Sequence, residues 1–182
     1  MSRIATGTGD KGQTGLFDGS RVAKSHPSIR AFGDVDELDA ALGVAAAAAD
    51  RTATKRAIQA LQKELFALKS DLATPLKAEK KIRRISKEDV KGLEKRIDEL
   101  EAALPLLSHF IVYGGTACAS QLHVARAVAR RAERSAWEGH EASGGINDEV
   151  LVWLNRLSDY LFLLARKANR DAGVADEELK LE

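Results

Sequence analysis

The sequence predicts an all-α protein, five helices bundled in one domain, on three observations. Apolar residues recur at helical spacing through most of the chain, which is the primary sign of helices with one buried face. Proline occurs only at Pro27, Pro75 and Pro105, so long stretches run free of the residue that breaks helices. Alanine is abundant and aromatic residues make up only 5% of the chain, a balance that favours helix over strand. No segment reads convincingly as a strand, and no internal repeat is visible.

Residues 1–26 are glycine-rich, polar and aperiodic, and are expected to form an extended arm. Pro27 suits the first turn of a helix, which is expected to run from Ser28 to about Asp50 and to end in the alanine run from Val44 to Ala49. Gly33 and Gly43 each cost it about 1 kcal/mol relative to alanine. An alternative start has Asp34 as N-cap, with Glu37 reaching back as a capping box. The second helix spans Thr52 to about Thr74, with Ile58, Leu61, Leu65, Leu68 and Leu72 on one face, and Pro75 stops it. Lys77 to Arg84 reads as a solvated basic linker without function. Ser86 followed by Asp89 marks the N-terminus of a third helix, which turns Leu93, Ile97 and Leu100 inward and ends before Pro105. His109 to Gly115 is a short apolar loop. The fourth helix is expected from Thr116 to Trp137, a loop from Gly139 to Asn147, and the fifth helix from Asp148 to about Arg170. The acidic tail after Gly173 is expected to fray. The organisation is therefore an arm, 1–26, on a bundle, 27–182.

The chain has 182 residues, enough to bury a core without disulfides. Its net charge of +1 argues against a dedicated nucleic-acid or membrane-surface binder. The single cysteine, Cys118, cannot close an intramolecular disulfide. That fits a reducing compartment, and its small neighbours mark it as a packing residue rather than a nucleophile. No apolar run reaches the ~18 residues of a membrane span, and no signal-peptide core is visible. The expected location is the cytoplasm.

Three constellations can carry chemistry. On the fourth helix Arg126, Arg130, Glu133 and Arg134 fall on one stripe, beside a seam of Cys118, Ala125, Ala129, Ala132 and Ala136. Arginines this dense are either a solvated basic face or a partner for carboxylates or phosphates. On the fifth helix Asn155, Asp159, Phe162 and Arg166 share a face, next to a core face of Leu151, Leu154, Leu161 and Ala165. Asn155 there is either an interhelical clamp or a ligand contact. The arm, Thr6-Gly7-Thr8-Gly9-Asp10-Lys11-Gly12-Gln13-Thr14-Gly15, has the glycines and hydroxyls to turn several donors toward one anion, with Lys11 and Lys24 adding charge. Its literal G-x-G-x-x-G match has no strand before it and no βαβ unit after it, so it is not a dinucleotide fingerprint. Glu-x-x-His pairs are missing, which argues against a di-iron bundle. His26, His109, His123 and His140 lack metal-ligand spacing.

These same stretches resemble the PduO-type ATP:cob(I)alamin adenosyltransferase family. The arm is similar to its Thr-Lys/Arg-Thr-Gly-Asp-x-Gly-x-Thr signature, followed by Arg21-Val22-Ala23-Lys24. Gly33 to Leu38 resembles its Gly-x-x-Asp-Glu-Leu segment, and Phe110 to Gly115 its Phe-x-x-Pro-Gly-Gly loop. His123 to Arg134 is similar to its arginine helix, and Asn155 to Leu161 completes the set in order along the chain.

The resemblance implies an up-and-down five-helix bundle of ferritin-like outline, assembled as a homotrimer with active sites between subunits. It implies that ATP, with Mg²⁺ held mainly on its phosphates, lies against an arm that orders on binding. It also implies transfer of the 5′-deoxyadenosyl group to cob(I)alamin, with release of triphosphate. Thr6, Gly7, Thr8, Gly9, Thr14, Gly15 and Lys24 would hold the nucleotide, with Arg130, Arg131, Glu133, Arg134 and Asn155. Phe110 would line the corrin side and displace the lower axial ligand, and Asp36 would pair with Arg126 across the interface. Partners implied are a flavin-dependent reductase and an adenosylcobalamin-dependent mutase, with no nucleic acid and no membrane. Two positions depart from the pattern. Gly7 stands where the family carries a basic residue, and Tyr113 stands where it carries proline. A non-catalytic sensor or carrier of the same fold, and a structural bundle whose arginines make an oligomer contact, are the competing classes. ATP binding and turnover separate all three.

Overall fold

The computed structural model describes residues 5–143 and 145–179. Five helices carry the fold: α1 Pro27–Ala47, α2 Thr52–Leu72, α3 Lys87–Ala103, α4 Ala117–Ser143 and α5 Asp148–Asp171. Their directions follow from the pairs that join them. Arg30 meets Glu138, and one turn on Asp34 meets Ser135 and Arg131, so α1 and α4 run antiparallel. Lys69 reaches Asp36 and Asp39 from α2, antiparallel to α1. Arg96 of α3 grips Glu64 of α2 with two bonds of 2.9 and 3.0 Å. Arg156 pairs with Glu94, and Arg170 donates to the Ala103 carbonyl, which makes α5 parallel to α3. The result is an up-and-down bundle, as expected. Among the described residues no helix is long and apolar enough to cross a membrane.

The helix starts have local causes. His26 caps α1 through Nδ1, which accepts from the Ser28 N–H at 3.2 Å, with Pro27 inside the first turn. The alternative start at Asp34 is therefore wrong; that carboxylate serves Arg131 and Ser135 instead. Ser86 and Asp89 form a reciprocal capping box on α3, which satisfies two N–H groups otherwise left open. Asn147 caps α5 by accepting from the Glu149 N–H.

The apolar faces meet in one core. Leu38, Leu42, Ile58, Leu61, Leu65, Leu68, Leu93, Leu122, Trp153, Leu154, Leu157 and Leu161 are fully buried, each contributing about 1.5–3 kcal/mol by leaving water. Ala125, Ala129, Ala132 and Ala136 of α4 are completely buried too, and Cys118 is nearly so. That confirms the small-residue seam, along which α1 packs closely.

Four expectations need correction. Helix α4 continues through Gly139 to Ser143 rather than stopping near Trp137. A Cβ at Gly139 would lie 2.7 Å from Ile146 Cδ1 and 3.5 Å from the Ser28 backbone, so this glycine admits the neighbouring chain and does not break the helix. The arm is not wholly irregular, because β1 Gln13–Gly15 and β2 Arg21–Ala23 form an antiparallel hairpin. The tail is not frayed over residues 174–179, the part of it that lies among the described residues. Its β4 Glu178–Leu179 pairs with β3 Phe110–Ile111, and Asp176 takes the buried Arg166 guanidinium at 2.8 Å. Nor is the basic linker idle. Lys80 covers the Phe17 ring at 3.8 Å, and Arg84 binds Asp71 and the Thr74 and Pro75 carbonyls.

Candidate functional site

The apolar loop between α3 and α4 is fixed at its far end by one side chain. Asn169 of α5 accepts from the Thr116 N–H (2.9 Å) and hydroxyl (3.1 Å), and donates to the Gly114 carbonyl at 2.9 Å. Gly115 sits at φ +97°, and a Cβ there would overlap the Asn169 amide. Gly115→Ala therefore combines left-handed strain with a clash, and is expected to cost about 2 kcal/mol or more. Urea denaturation at fixed protein concentration checks this; an unchanged midpoint refutes it.

That anchored loop presents Phe110 with 78% of its surface exposed, and Leu106 with 98%. Exposed apolar groups this large mark a binding surface rather than a core. They border an open slot of about 570 Å³ lined by Leu107, Phe110, Ile111, Tyr113, Phe162 and Leu179. Beside it lies a cleft of about 460 Å³ between α4, α5 and the end of α3, lined by Arg126, Arg130, Ser158, Asp159, Phe162 and Arg166 among others. Phe162 belongs to both. The structure thus sets a cationic cleft against an aromatic slot with one shared wall.

The arginines of α4 differ in how far they are already satisfied. Arg131 is bound to Asp34 at 3.1 Å and to Glu37, both on α1, and these carboxylates raise its pKa further. Arg134 donates to the Arg130 carbonyl. Arg130 is exposed, and among the described residues its guanidinium carries no ion pair. Arg126 has a buried Nε without a hydrogen-bond partner, and its guanidinium carbon lies 4.4 Å from the Tyr113 ring centre. Asn155 donates to Glu133 at 3.0 Å and accepts from Arg156 at 2.7 Å, so the expected stripe and the expected asparagine do meet. His123, one turn before Arg126, is buried against Tyr113 and Phe162. Burial first and the Arg126 charge second push its pKa down to about 4, which leaves the imidazole neutral near pH 7.

The arm lies elsewhere. Its loop is closed by its own bonds: the Asp10 N–H donates to the Gly7 carbonyl at 3.3 Å, and Arg21 donates to the Thr8 and Gln13 carbonyls. Gly7 holds φ +69°, a conformation that a basic side chain would strain. Lys24 folds over Gly9. Thr14, Gly15 and Phe17 sit on α1 and α2, around Ile29, Phe32 and Phe66. Among the described residues no hydrogen bond or ion pair joins the arm to Arg126, Arg130, Arg134 or Asn155. Asp36 is held by Lys69 at 3.0 Å with its carboxylate still mostly exposed.

Within one chain, then, the structure brings Phe110, Arg126, Arg130, Glu133 and Asn155 onto one side of the bundle. It leaves Thr6 to Gly9, Thr14, Gly15, Lys24 and Asp36 on another. Sequence reasoning missed Tyr113 and Ser158 as parts of this surface, and His123 as the buried ring behind it. The three-residue spacing of His123 and Arg126 was the available signal.

A helical bundle that pairs a basic cleft with an open aromatic slot is of the class that receives a charged group and a broad apolar group side by side. The chain belongs to the cobalamin adenosyltransferase family, whose model matches residues 4–168. It is similar to the corrinoid adenosyltransferase of Mycobacterium leprae, 44% identical over 93% of this chain and 92% of that protein. The corrinoid adenosyltransferase of Bacillus subtilis is 42% identical over 97% of this chain and 91% of its own length. Among solved structures, a phenylalanine-to-alanine variant of the PduO-type ATP:corrinoid adenosyltransferase from Lactobacillus reuteri, complexed with cobalamin and ATP, superposes with a TM-score of 0.92. Its sequence identity is 35%, covering 98% of this chain and 100% of that one.

Proposed function

We propose that this chain, a corrinoid adenosyltransferase, seats its corrinoid in the slot at Phe110 and draws the triphosphate of ATP along Arg126, Arg130 and Arg134. The reaction moves the 5′-deoxyadenosyl group of ATP to the cobalt of cob(I)alamin. Cobalt attacks C5′, the C5′–O bond breaks, and triphosphate leaves with the electron pair. The observation that carries this reading is the shared Phe162 wall, which puts a charge-stabilising cleft directly beside an apolar slot.

The chain's residues meet three demands. The slot excludes water and turns an exposed phenyl ring toward the metal's lower side, which disfavours a lower ligand and eases reduction of the cobalt. The guanidiniums meet the charge that develops on the departing triphosphate, in a cleft where fixed donors act more strongly than in water. Cleft and slot hold the reacting atoms in line, and such orientation lowers a barrier by several kcal/mol. The nucleophile is already strong, so no general base is required. Among the described residues no three carboxylate, imidazole or thiol groups gather. A Mg²⁺ ion would be carried mainly by the phosphate oxygens, with Glu133 the carboxylate on the stripe.

The nucleotide's other contacts are Thr6, Gly7, Thr8, Gly9, Thr14, Gly15 and Lys24, with Arg131 and Asn155. Because the arm and the arginine stripe lie on different faces of one chain, the arm of one subunit serves the stripe of the next. This is the arrangement of a homotrimer with Asp36 facing a neighbour's arginine. The protein works in the cytoplasm, fed by a flavin-dependent reductase and supplying an adenosylcobalamin-dependent mutase. Deleting residues 1–24 tests the arm. The core begins at Ala31, and the arm's backbone meets the bundle mainly where the Phe17 N–H donates to Ala73. The truncated protein is expected to keep its helical circular dichroism and to lose ATP binding in titration calorimetry. Retained ATP affinity would take the arm out of the mechanism.

A further inference from the structure

Tyr113 stands where the two halves of the site meet. Its ring is part of the slot wall and also lies 4.4 Å from the guanidinium carbon of Arg126, which lines the cleft. Across the same ring His123 stacks at 4.7 Å between centroids with a 31° tilt, and Phe162 closes the cluster edge-on at 5.9 Å. His123 and Arg126 are three residues apart on α4, so both project from one face of the helix. One aromatic ring from the loop therefore covers both.

Within its own chain Arg126 lacks the partners that usually fix a guanidinium; the Asp36 proposed to meet it belongs to a neighbouring subunit. Among the described residues it makes no ion pair and no hydrogen bond, and its Nε is buried. Its neighbours on α4 are held differently, Arg131 by two carboxylates and Arg134 by a carbonyl. Within the chain its guanidinium rests on the face of Tyr113, whose negative π surface attracts a cation. The neighbouring imidazole is neutral and adds no repulsion. The loop that delivers the ring is pinned by Asn169 at Gly114 and Thr116, so the platform has a fixed height above α4.

We propose that Tyr113 is a positioning residue. Its ring holds the Arg126 guanidinium at the boundary between cleft and slot, and because the same ring walls the slot, a corrinoid seated there bears on the platform that carries the cation. The proposal rests on Arg126 acting in adenosyl transfer.

The test compares Tyr113→Leu and Tyr113→Phe, each alone and combined with Arg126→Gln, in anaerobic transfer assays with ATP, Mg²⁺ and reduced cobalamin. Tyr113→Leu is expected to lower kcat about tenfold, the scale of one cation–π contact, with KM for ATP unchanged. Tyr113→Phe keeps the π face and rescues kcat to within about twofold of wild type. With Arg126→Gln already in place, Tyr113→Leu costs nothing further, because the group it positions is gone. In the protein without substrates, ring-current shielding places the Arg126 Nε–H proton resonance upfield. It moves toward the free-arginine position in Tyr113→Leu but not in Tyr113→Phe. An unchanged kcat in Tyr113→Leu, an equal loss in Tyr113→Phe, or losses that multiply with Arg126→Gln would each overturn the proposal. Wild-type turnover in Arg126→Gln overturns the assignment of Arg126 and this inference together. Loss in Arg126→Gln with an unaffected Tyr113→Leu overturns the inference alone.

Discussion

Alanine at Arg126 or at Arg130 is expected to reduce adenosyl transfer by at least about 100-fold, the usual loss when one preorganised charge-stabilising donor is removed. That corresponds to about 2.7 kcal/mol of transition-state stabilisation. The two arginines line the cleft without a carboxylate partner among the described residues, so their charge is available to a leaving polyphosphate. For the same reason the fold does not need them. Within one chain Arg130 is exposed and removes no internal contact when truncated, and Arg126 gives up its ring contact with Tyr113, besides the proposed pairing with a neighbour's Asp36. Melting temperatures should therefore stay within a few degrees of wild type. Arg131 provides the contrast. Its guanidinium ties α4 to Asp34 and Glu37 of α1, so its removal affects helix packing as well as charge. Formation of adenosylcobalamin, followed spectrally under anaerobic conditions, measures the effect. Wild-type turnover in the Arg126 and Arg130 variants would remove the arginine stripe from catalysis.

The largest effect on stability is expected at Asp71. Its side chain is 1% exposed and its carboxylate receives three donations: Arg84 at 2.6 Å, the Ile85 N–H at 2.9 Å and Asn147 Nδ2 at 2.8 Å. Asn147 is also the cap of α5. One carboxylate thus joins the end of α2, the linker to α3 and the start of α5. Asp71→Ala leaves a guanidinium and two buried donors without their acceptor, and breaking such a pair costs about 3–5 kcal/mol. For a chain of this size that lowers Tm by roughly 6–20 °C. Calorimetry at matched protein concentration decides it, and a loss below about 1 kcal/mol would mean that water replaces the carboxylate at no great cost.

The helices were legible in the sequence because each leaves a repeated signal: an apolar face such as Ile58, Leu61, Leu65 and Leu68, and a cap such as Ser86 with Asp89. The strands were not, since pairings of two or three residues such as Phe110–Ile111 with Glu178–Leu179 are too short for an alternating pattern to show. Gly139 misled because a glycine that ends a helix and one that admits a neighbour look alike in a sequence; only the contact with Ile146 and Ser28 tells them apart. The arginine stripe was legible as a stripe, but not the division of labour along it. Helical spacing places Arg130 and Arg131 on the chain, and only packing shows that Arg131 is already paired with Asp34 and Glu37 of α1. Asp71, buried in its sequence context as one carboxylate among 27 acidic residues, gave no pattern at all. Its partners come from two separate segments, the linker at Arg84 and Ile85 and the α5 cap at Asn147.

The alanine seam of α4 has a consequence for how charge is met. Alanine has no side-chain rotamers to choose among, so the buried face of α4 has few alternative packings against α1. The guanidiniums on its outer face are thus carried by a backbone whose position the packing of the opposite face already sets.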